Sequence, residues 1–256
     1  MDLNLDERVY VLTGASRGLG LATARVLVSE GASVVLVARP SDALDAAVAE
    51  FGSAAVALPG DLADEHISRN AVELAIETFG RLDGALLSVG GPPPGSVLST
   101  TDEQWRQSFE SVFLGSIRTA RDVCSGIAAT GRSSQGAIAW VLSTSAVEVF
   151  TGLSASNGLR PGLAMLIKDL GNEVGPSGIR VNGLLPGRIA TDRIAAIDGL
   201  FGDAVQARAA ASAAIPLRRY GEPAEFGRVA AFVLSPAASY VTGTLIRIDG
   251  GITRQP

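Results

Sequence analysis

Apolar runs and helix-period stretches alternate from one end of the chain to the other. Val9–Leu12, Ser33–Val37, Ala54–Leu58, Ala85–Ser88, Ala137–Ser143, Ile179–Leu185 and Thr244–Ile248 are apolar almost without interruption. Strands that lack polar alternation are buried on both faces, as in a parallel sheet covered by helices. Between them, Leu19–Glu30, Asp42–Phe51, Asp64–Phe79, Asp102–Ala129, Leu163–Glu173 and Pro223–Leu234 have the spacing of amphipathic helices. This βαβα rhythm predicts an α/β fold, a doubly wound parallel sheet of about seven strands with helices on both faces. Residues 191–219 contain no apolar strand and are rich in Ala, so they read as one or two surface helices serving as a substrate lid. The turn at Gly90–Gly95 is stiff but local, because the rhythm resumes directly after it. A single domain over 1–256 follows.

Composition narrows the class. The 256 residues are 47% apolar and 18% charged, enough for a sizeable core. No apolar run reaches the ~18–20 residues of a membrane span. Met1–Leu12 does not read as a signal peptide, since Asp2, Asp6 and Glu7 stand where a basic segment belongs. A net charge of −5 argues against a nucleic-acid or anionic-membrane surface. One cysteine, Cys124, excludes an internal disulfide and a multi-cysteine metal site, and one histidine, His66, excludes two-histidine metal motifs. A cytoplasmic protein acting on a small molecule, without metal, is expected.

The chemistry begins at Thr13–Gly20, which joins the first strand to the first helix. Gly14, Gly18 and Gly20 form a G-x-x-x-G-x-G array, with Ser16, Arg17 and Leu19 between them. Glycines let a pyrophosphate approach the backbone, and the helix N-terminus supplies N–H donors and a positive dipole end. A tight turn with no ligand is the plainer alternative for a glycine triple alone. The second strand ends in Ala38-Arg39, where a carboxylate would bind a ribose 2′-hydroxyl. Arg39 with Arg17 suits a 2′-phosphate instead, so NADP(H) is preferred and NAD(H) remains open. A solvated Arg39 is the bland reading.

Read together with later segments, these residues resemble the short-chain dehydrogenase/reductase family over nearly the whole chain. The matching segments are Thr13–Gly20, Gly60-Asp61-Leu62, Ser143 ending the fifth strand, Gly178–Asn182, Pro186-Gly187, Thr191 and Tyr240–Gly251. The nearest likeness is to the 3-oxoacyl-thioester reductase-like branch. The resemblance implies a Rossmann-type fold and a homotetramer. It also implies that Asp61 and Leu62 flank the adenine, and that Ser88, Val89 and Gly90 line the cofactor ribose. Pro186, Gly187, Ile189 and Thr191 would lie beside the nicotinamide and diphosphate.

The resemblance breaks at the acid/base set, where the family uses Asn, Ser, Tyr and Lys. Counting from Ser143 and from Val181-Asn182 puts the tyrosine position on Ser156, the lysine position on Arg160 and the asparagine position on Val112. Ser143 keeps the serine. The three tyrosines, Tyr10, Tyr220 and Tyr240, all lie outside the Ser156 segment. The single lysine, Lys168, is two turns beyond Arg160 and about 80° around a helix. Ser156 lacks a phenol's acidity and reach, whereas Arg160 keeps the charge without titrating near neutrality. Arg160 would bridge the cofactor ribose. His66 reads as a surface residue and Cys124 as a small core residue. Glu148 either faces the pocket as a proton carrier or is a solvated loop glutamate. Pro161 follows Arg160 directly, so the helix either begins there or runs through it with a kink.

Three functions fit. An NADP(H)-dependent oxidoreductase would use Ser143, Ser156 and Arg160 in place of the usual set. A catalytically silent nucleotide-binding scaffold or cofactor sensor would keep the cradle alone. A lyase resembling the halohydrin dehalogenases would share the Arg-for-Lys change, but those enzymes keep the tyrosine and lose the glycine loop. The first is the expected function.

Overall fold

The computed structural model describes residues 2–131, 136–199 and 203–255. Seven strands, β1 (Val9–Thr13), β2 (Ser33–Ala38), β3 (Ala55–Pro59), β4 (Gly84–Leu87), β5 (Ala137–Val141), β6 (Arg180–Pro186) and β7 (Leu245–Ile248), form one sheet in the order β3-β2-β1-β4-β5-β6-β7. Every pairing is parallel. The order reverses between β1 and β4, and ligands of doubly wound sheets bind at such a switch point, beyond the carboxyl ends of the strands.

Successive strand residues feed opposite cores. Val9 and Val11 pack with Val35, Leu87 and Trp140 on one face, while Tyr10 and Leu12 pack with Leu36, Leu86 and Phe226 on the other. Helices α3 (Ile67–Phe79), α5 (Gly115–Ala129) and α6 (Ser154–Val174) cover the first face, and α1 (Gly18–Ser29), α2 (Asp42–Phe51) and α9 (Pro223–Leu234) the second. Helices α7 (Asp192–Gly199) and α8 (Ala204–Ala214) occupy the stretch expected to hold one or two surface helices. No described helix is long and apolar enough to cross a membrane.

Most elements match within one or two residues, and three helices depart further. The single helix expected over Asp102–Ala129 is α4 (Asp102–Ser108), a π-helical stretch at Phe109–Leu114, and α5. The third helix begins at Ile67 rather than Asp64, because the Asp64 side chain accepts from His66 N–H in a turn. Helix α6 begins nine residues before the expected Leu163 and contains Pro161, which excludes a start at the proline. An interior proline costs about 3 kcal/mol through a lost bond and a ring clash. Burial of Ala155, Leu159, Leu163 and Ile167 against the sheet offsets that cost.

Candidate active site

At the carboxyl edge, Thr13 ties the two strands that flank the switch point. Its Oγ1 donates to Ser88 O at 2.8 Å and accepts from Ser88 N–H at 2.8 Å. Gly14 follows with φ +57°, and a Cβ there would stand 2.5 Å from Ser88 O. Gly18 also has positive φ, and a Cβ there would meet Thr191 Cγ2 at 3.7 Å, so the glycine turn faces the loop after β6. Gly20 lets α1 pack on its own turn, where a Cβ would lie 2.6 Å from Gly14 O. Ser16 and Leu19 are half-buried, and Arg17 and Arg39 are exposed without a described partner in the chain.

The other cradle residues divide into two kinds. Asp61 is exposed, with Oδ1 accepting from Ala63 N–H, while Leu62 is packed on the core. Ser88 is buried, Val89 half-buried and Gly90 open, with nothing within 4 Å of a Cβ built on it. Gly187 has a reason within the chain: a Cβ would stand 2.7 Å from that of Asp249, and its N–H donates to Ile248 O. Ile189 buries its side chain beside Gly221, and its carbonyl accepts from Thr191 Oγ1 at 3.4 Å. Pro186 and Thr191 are half-buried at the same edge.

Beyond β5 lies a hydroxyl cluster. Ser143 Oγ accepts from Ser145 N–H at 3.1 Å and caps the short turn Thr144–Ala146. Ser145 Oγ stands 2.9 Å from Ser156 Oγ, and both side chains are buried. Arg160 is one turn along α6 and only 4% exposed. Its Nη1 donates to Val141 O at 2.5 Å, while its Nε is buried without a partner. Desolvation, joined by the like charge of Arg193, lowers the Arg160 pKa to about 10.

The pocket walls are tied together by backbone and amide contacts. Gly95 N–H donates to Gly152 O and Ser154 N–H to Gly95 O, joining the loop after β4 to the loop before α6. Asn157 clasps Phe150, with Nδ2 donating to its carbonyl and Oδ1 accepting from its N–H. Over these loops, Arg193 of α7 donates to Gly91 O and Pro92 O at 3.1 and 3.2 Å. Behind it Asp198, 3% exposed, accepts from Arg188 and from the Tyr220 hydroxyl, a buried network that anchors α7. Burial and the Asp198 bond raise the Tyr220 pKa.

The other titratable groups lie outside the hydroxyl cluster. Glu148 is half-buried in its loop, and its Oε1 accepts from the N–H groups of Arg254 and Gln255. Lys168 lies along Gly243. Tyr10 donates to Leu234 O, Tyr240 is fully exposed, and His66 is exposed beside Glu65. Burial pushes the Cys124 thiol up to about 11. Val112 is buried in the π stretch, and its carbonyl accepts from Ser116 Oγ at 2.6 Å. Ser145, Asn157 and Arg193 carry no strong local signal; that of Ser145 is its place in the hydroxyl run Ser143-Thr144-Ser145. A separate cavity of about 650 Å³ between α1 and α9 holds none of these groups.

The glycine turn, the open Gly90, the unpartnered Arg17 and Arg39 and the orphaned Arg160 Nε fit a phosphorylated dinucleotide laid across the switch point. Comparison with known proteins agrees. Residues 14–253 match the family model described as enoyl-(acyl carrier protein) reductase. An L-rhamnose 1-dehydrogenase (NAD(P)+) from Azotobacter vinelandii is 32% identical over 255 residues, covering 97% of each chain. L-Sorbose reductase from Gluconobacter frateurii, solved with NADPH and L-sorbose, superposes with TM-score 0.91 at 28% identity over all of both chains. An NADPH-bound short chain oxidoreductase from Pseudomonas aeruginosa PAO1, described as containing an atypical catalytic center, gives TM-score 0.88 at 30% identity over 98% of each chain.

Proposed function

The chain belongs to the short-chain dehydrogenase/reductase family, and from that premise we propose an NADP(H)-dependent oxidoreductase, acting on a carbonyl/alcohol pair, whose acid/base set is atypical. The observation that carries this reading is the buried Ser145–Ser156 hydroxyl pair, 2.9 Å apart and one helical turn from a buried guanidinium. In the register counted from Ser143, Ser156 and Arg160 stand where the family uses tyrosine and lysine. The NADPH-bound relative with an atypical center supports the same reading.

The glycine turn, with Ser16 and Leu19, cradles the diphosphate, and Arg17 and Arg39 clamp the 2′-phosphate. Asp61 and Leu62 flank the adenine, Ser88, Val89 and Gly90 line the ribose, and Arg160 bridges it. Pro186, Gly187, Ile189 and Thr191 orient the nicotinamide end. Bound there, the dinucleotide supplies or accepts a hydride at the substrate carbon. Ser143 polarises the carbonyl, Ser156 gives its proton to the carbonyl oxygen, and Ser145 relays a replacement from water. Arg160 stabilises the negative charge that grows on that oxygen. Residues 191–219 act as the lid, held by Arg193 and the Asp198 network. We place the chain in the 3-oxoacyl-thioester reductase-like branch on the order and spacing of its matching segments from Thr13–Gly20 to Tyr240–Gly251. The half-exposed Phe109, stacked on Phe113 beside Trp105 and Leu159, supports a homotetramer.

Purified protein with NADPH and a panel of carbonyl compounds tests this through nicotinamide absorbance. Turnover that falls ~10²-fold in Ser156→Ala is expected, the size of a lost proton donor. Tight NADPH binding with no turnover across the panel supports the second reading, a silent cofactor-binding scaffold. That reading is favoured by Val112, whose carbonyl is already occupied by Ser116 where a relay water would be held.

A further inference from the structure

Arg160 and Arg193 reach over the carboxyl ends of β4 and β5, which are neighbours in the sheet. Arg160 rests on Val141 O at the end of β5, and Arg193 rests on the carbonyls of Gly91 and Pro92 after β4. The Arg193 guanidinium fills the space that a side chain at Gly91 would need. Neither arginine has a carboxylate partner among the described residues, and Arg160 Nε has no hydrogen-bond acceptor at all. The acidic groups of the surrounding loops are engaged or turned outward. Glu148 holds the backbone of residues 254 and 255, Asp198 is bound by Arg188 and Tyr220, and Asp192 is exposed. A buried cation without a counter-charge is costly, and two guanidiniums with unfilled donors complement a carboxylate. The lowered Arg160 pKa, from burial and from the Arg193 charge, has the same origin.

Building on the oxidoreductase reading, we propose that the substrate is a short oxo acid, or its hydroxy acid in the reverse direction, with its carboxylate bound by Arg193 in the positive field that it shares with Arg160. That pose sets the substrate's carbonyl oxygen against the Ser145–Ser156 pair. In reduction the carbonyl carbon takes hydride from NADPH, the C=O π pair takes the Ser156 proton, and the products are a hydroxy acid and NADP⁺. The serine recovers its proton from water through Ser145.

Oxamate, an unreactive carboxylate, serves as the binding probe in calorimetry on the full chain, alongside NADPH. Oxamate binding that weakens ~10–100-fold in Arg193→Gln, the loss of a charged hydrogen bond, is expected. Arg193→Lys should recover part of it. Oxo acids should be consumed at least ~10-fold more efficiently than the matching amides, and that preference should shrink in Arg193→Gln. Equal melting temperatures of the variants and the parent chain show that the lid helix still folds. No oxamate binding, binding indifferent to Arg193, or equal turnover of amides overturns the proposal. So does an Arg193→Gln loss confined to NADPH, which would assign the guanidinium to the cofactor. Arg193-dependent oxamate binding with no turnover of any carbonyl keeps the anion site and removes the oxidoreductase reading instead.

Discussion

The two halves of the carboxyl edge are built from different materials. Around β1, β2 and β4 the cradle is defined by backbone: positive φ at Gly14 and Gly18, a close approach at Gly20, and Thr13 tied to Ser88. Around β5 and α6 the site is defined by side chains: Ser145 against Ser156, Arg160 under burial, and Asn157 clasping Phe150. The backbone cradle resists substitution at Gly14 and Gly20, where a Cβ collides with main chain, and at Gly18, where the positive φ strains a side chain. A side-chain site can exchange its chemistry while the helix that carries it stays in place. Under the proposed function, that is how a chain can hold a dinucleotide on its backbone and work with serine and arginine beyond β5.

The sharpest way to break this contrast is Gly14→Val. It puts a β-branched residue at positive φ and its Cβ 2.5 Å from Ser88 O, so NADPH binding should vanish in calorimetry, together with much of the stability. On the side-chain half, Ser145→Ala and Ser156→Ala should each lower kcat ~10²-fold, and the double variant should lose little more, since the pair acts as one unit. Additive losses would separate the two hydroxyls. Thr13→Val keeps the volume but strips both bonds to Ser88, and denaturant unfolding should report a loss of about 1–3 kcal/mol. Asn157→Ala releases Phe150, and its effect should appear in KM more than in kcat if the loop only shapes the pocket.

The smallest effect is a control remote from both halves. The Arg219 guanidinium and the N–H of Glu222 hold the exposed Glu225 carboxyl down to about 2. Its folded pKa is depressed, so its contribution is complete above the ordinary glutamate range and is lost as pH falls towards about 2. The parent chain and Glu225→Gln should therefore differ in melting temperature at neutral pH and converge in acid. A difference that grows in acid would reverse the sign.

Much of the framework was legible because its causes are local. Asp42–Phe51 and Pro223–Leu234 have the expected bounds, each opened by a capping residue next in sequence. Helix α6 was harder, because Pro161 is a local signal to stop that the packing of Ala155, Leu159 and Leu163 overrides. The hydroxyl pair was hidden for a different reason. Ser145 and Ser156 are eleven residues apart and belong to different elements, so only the meeting of a turn with a helix face makes them one group. Glu148 shows the same limit at long range, since its partner is backbone at residues 254 and 255.

What the residues settled alone is the doubly wound sheet and the place of its glycine turn, because apolar period and backbone freedom are properties of short stretches. Which hydroxyl faces which, where the buried guanidinium is left without an acceptor, and that an arginine of α7 reaches the loop after β4 were decided only by the assembled fold. Those are relations between groups that the chain brings from distant positions, and no local pattern encodes a distance between two elements.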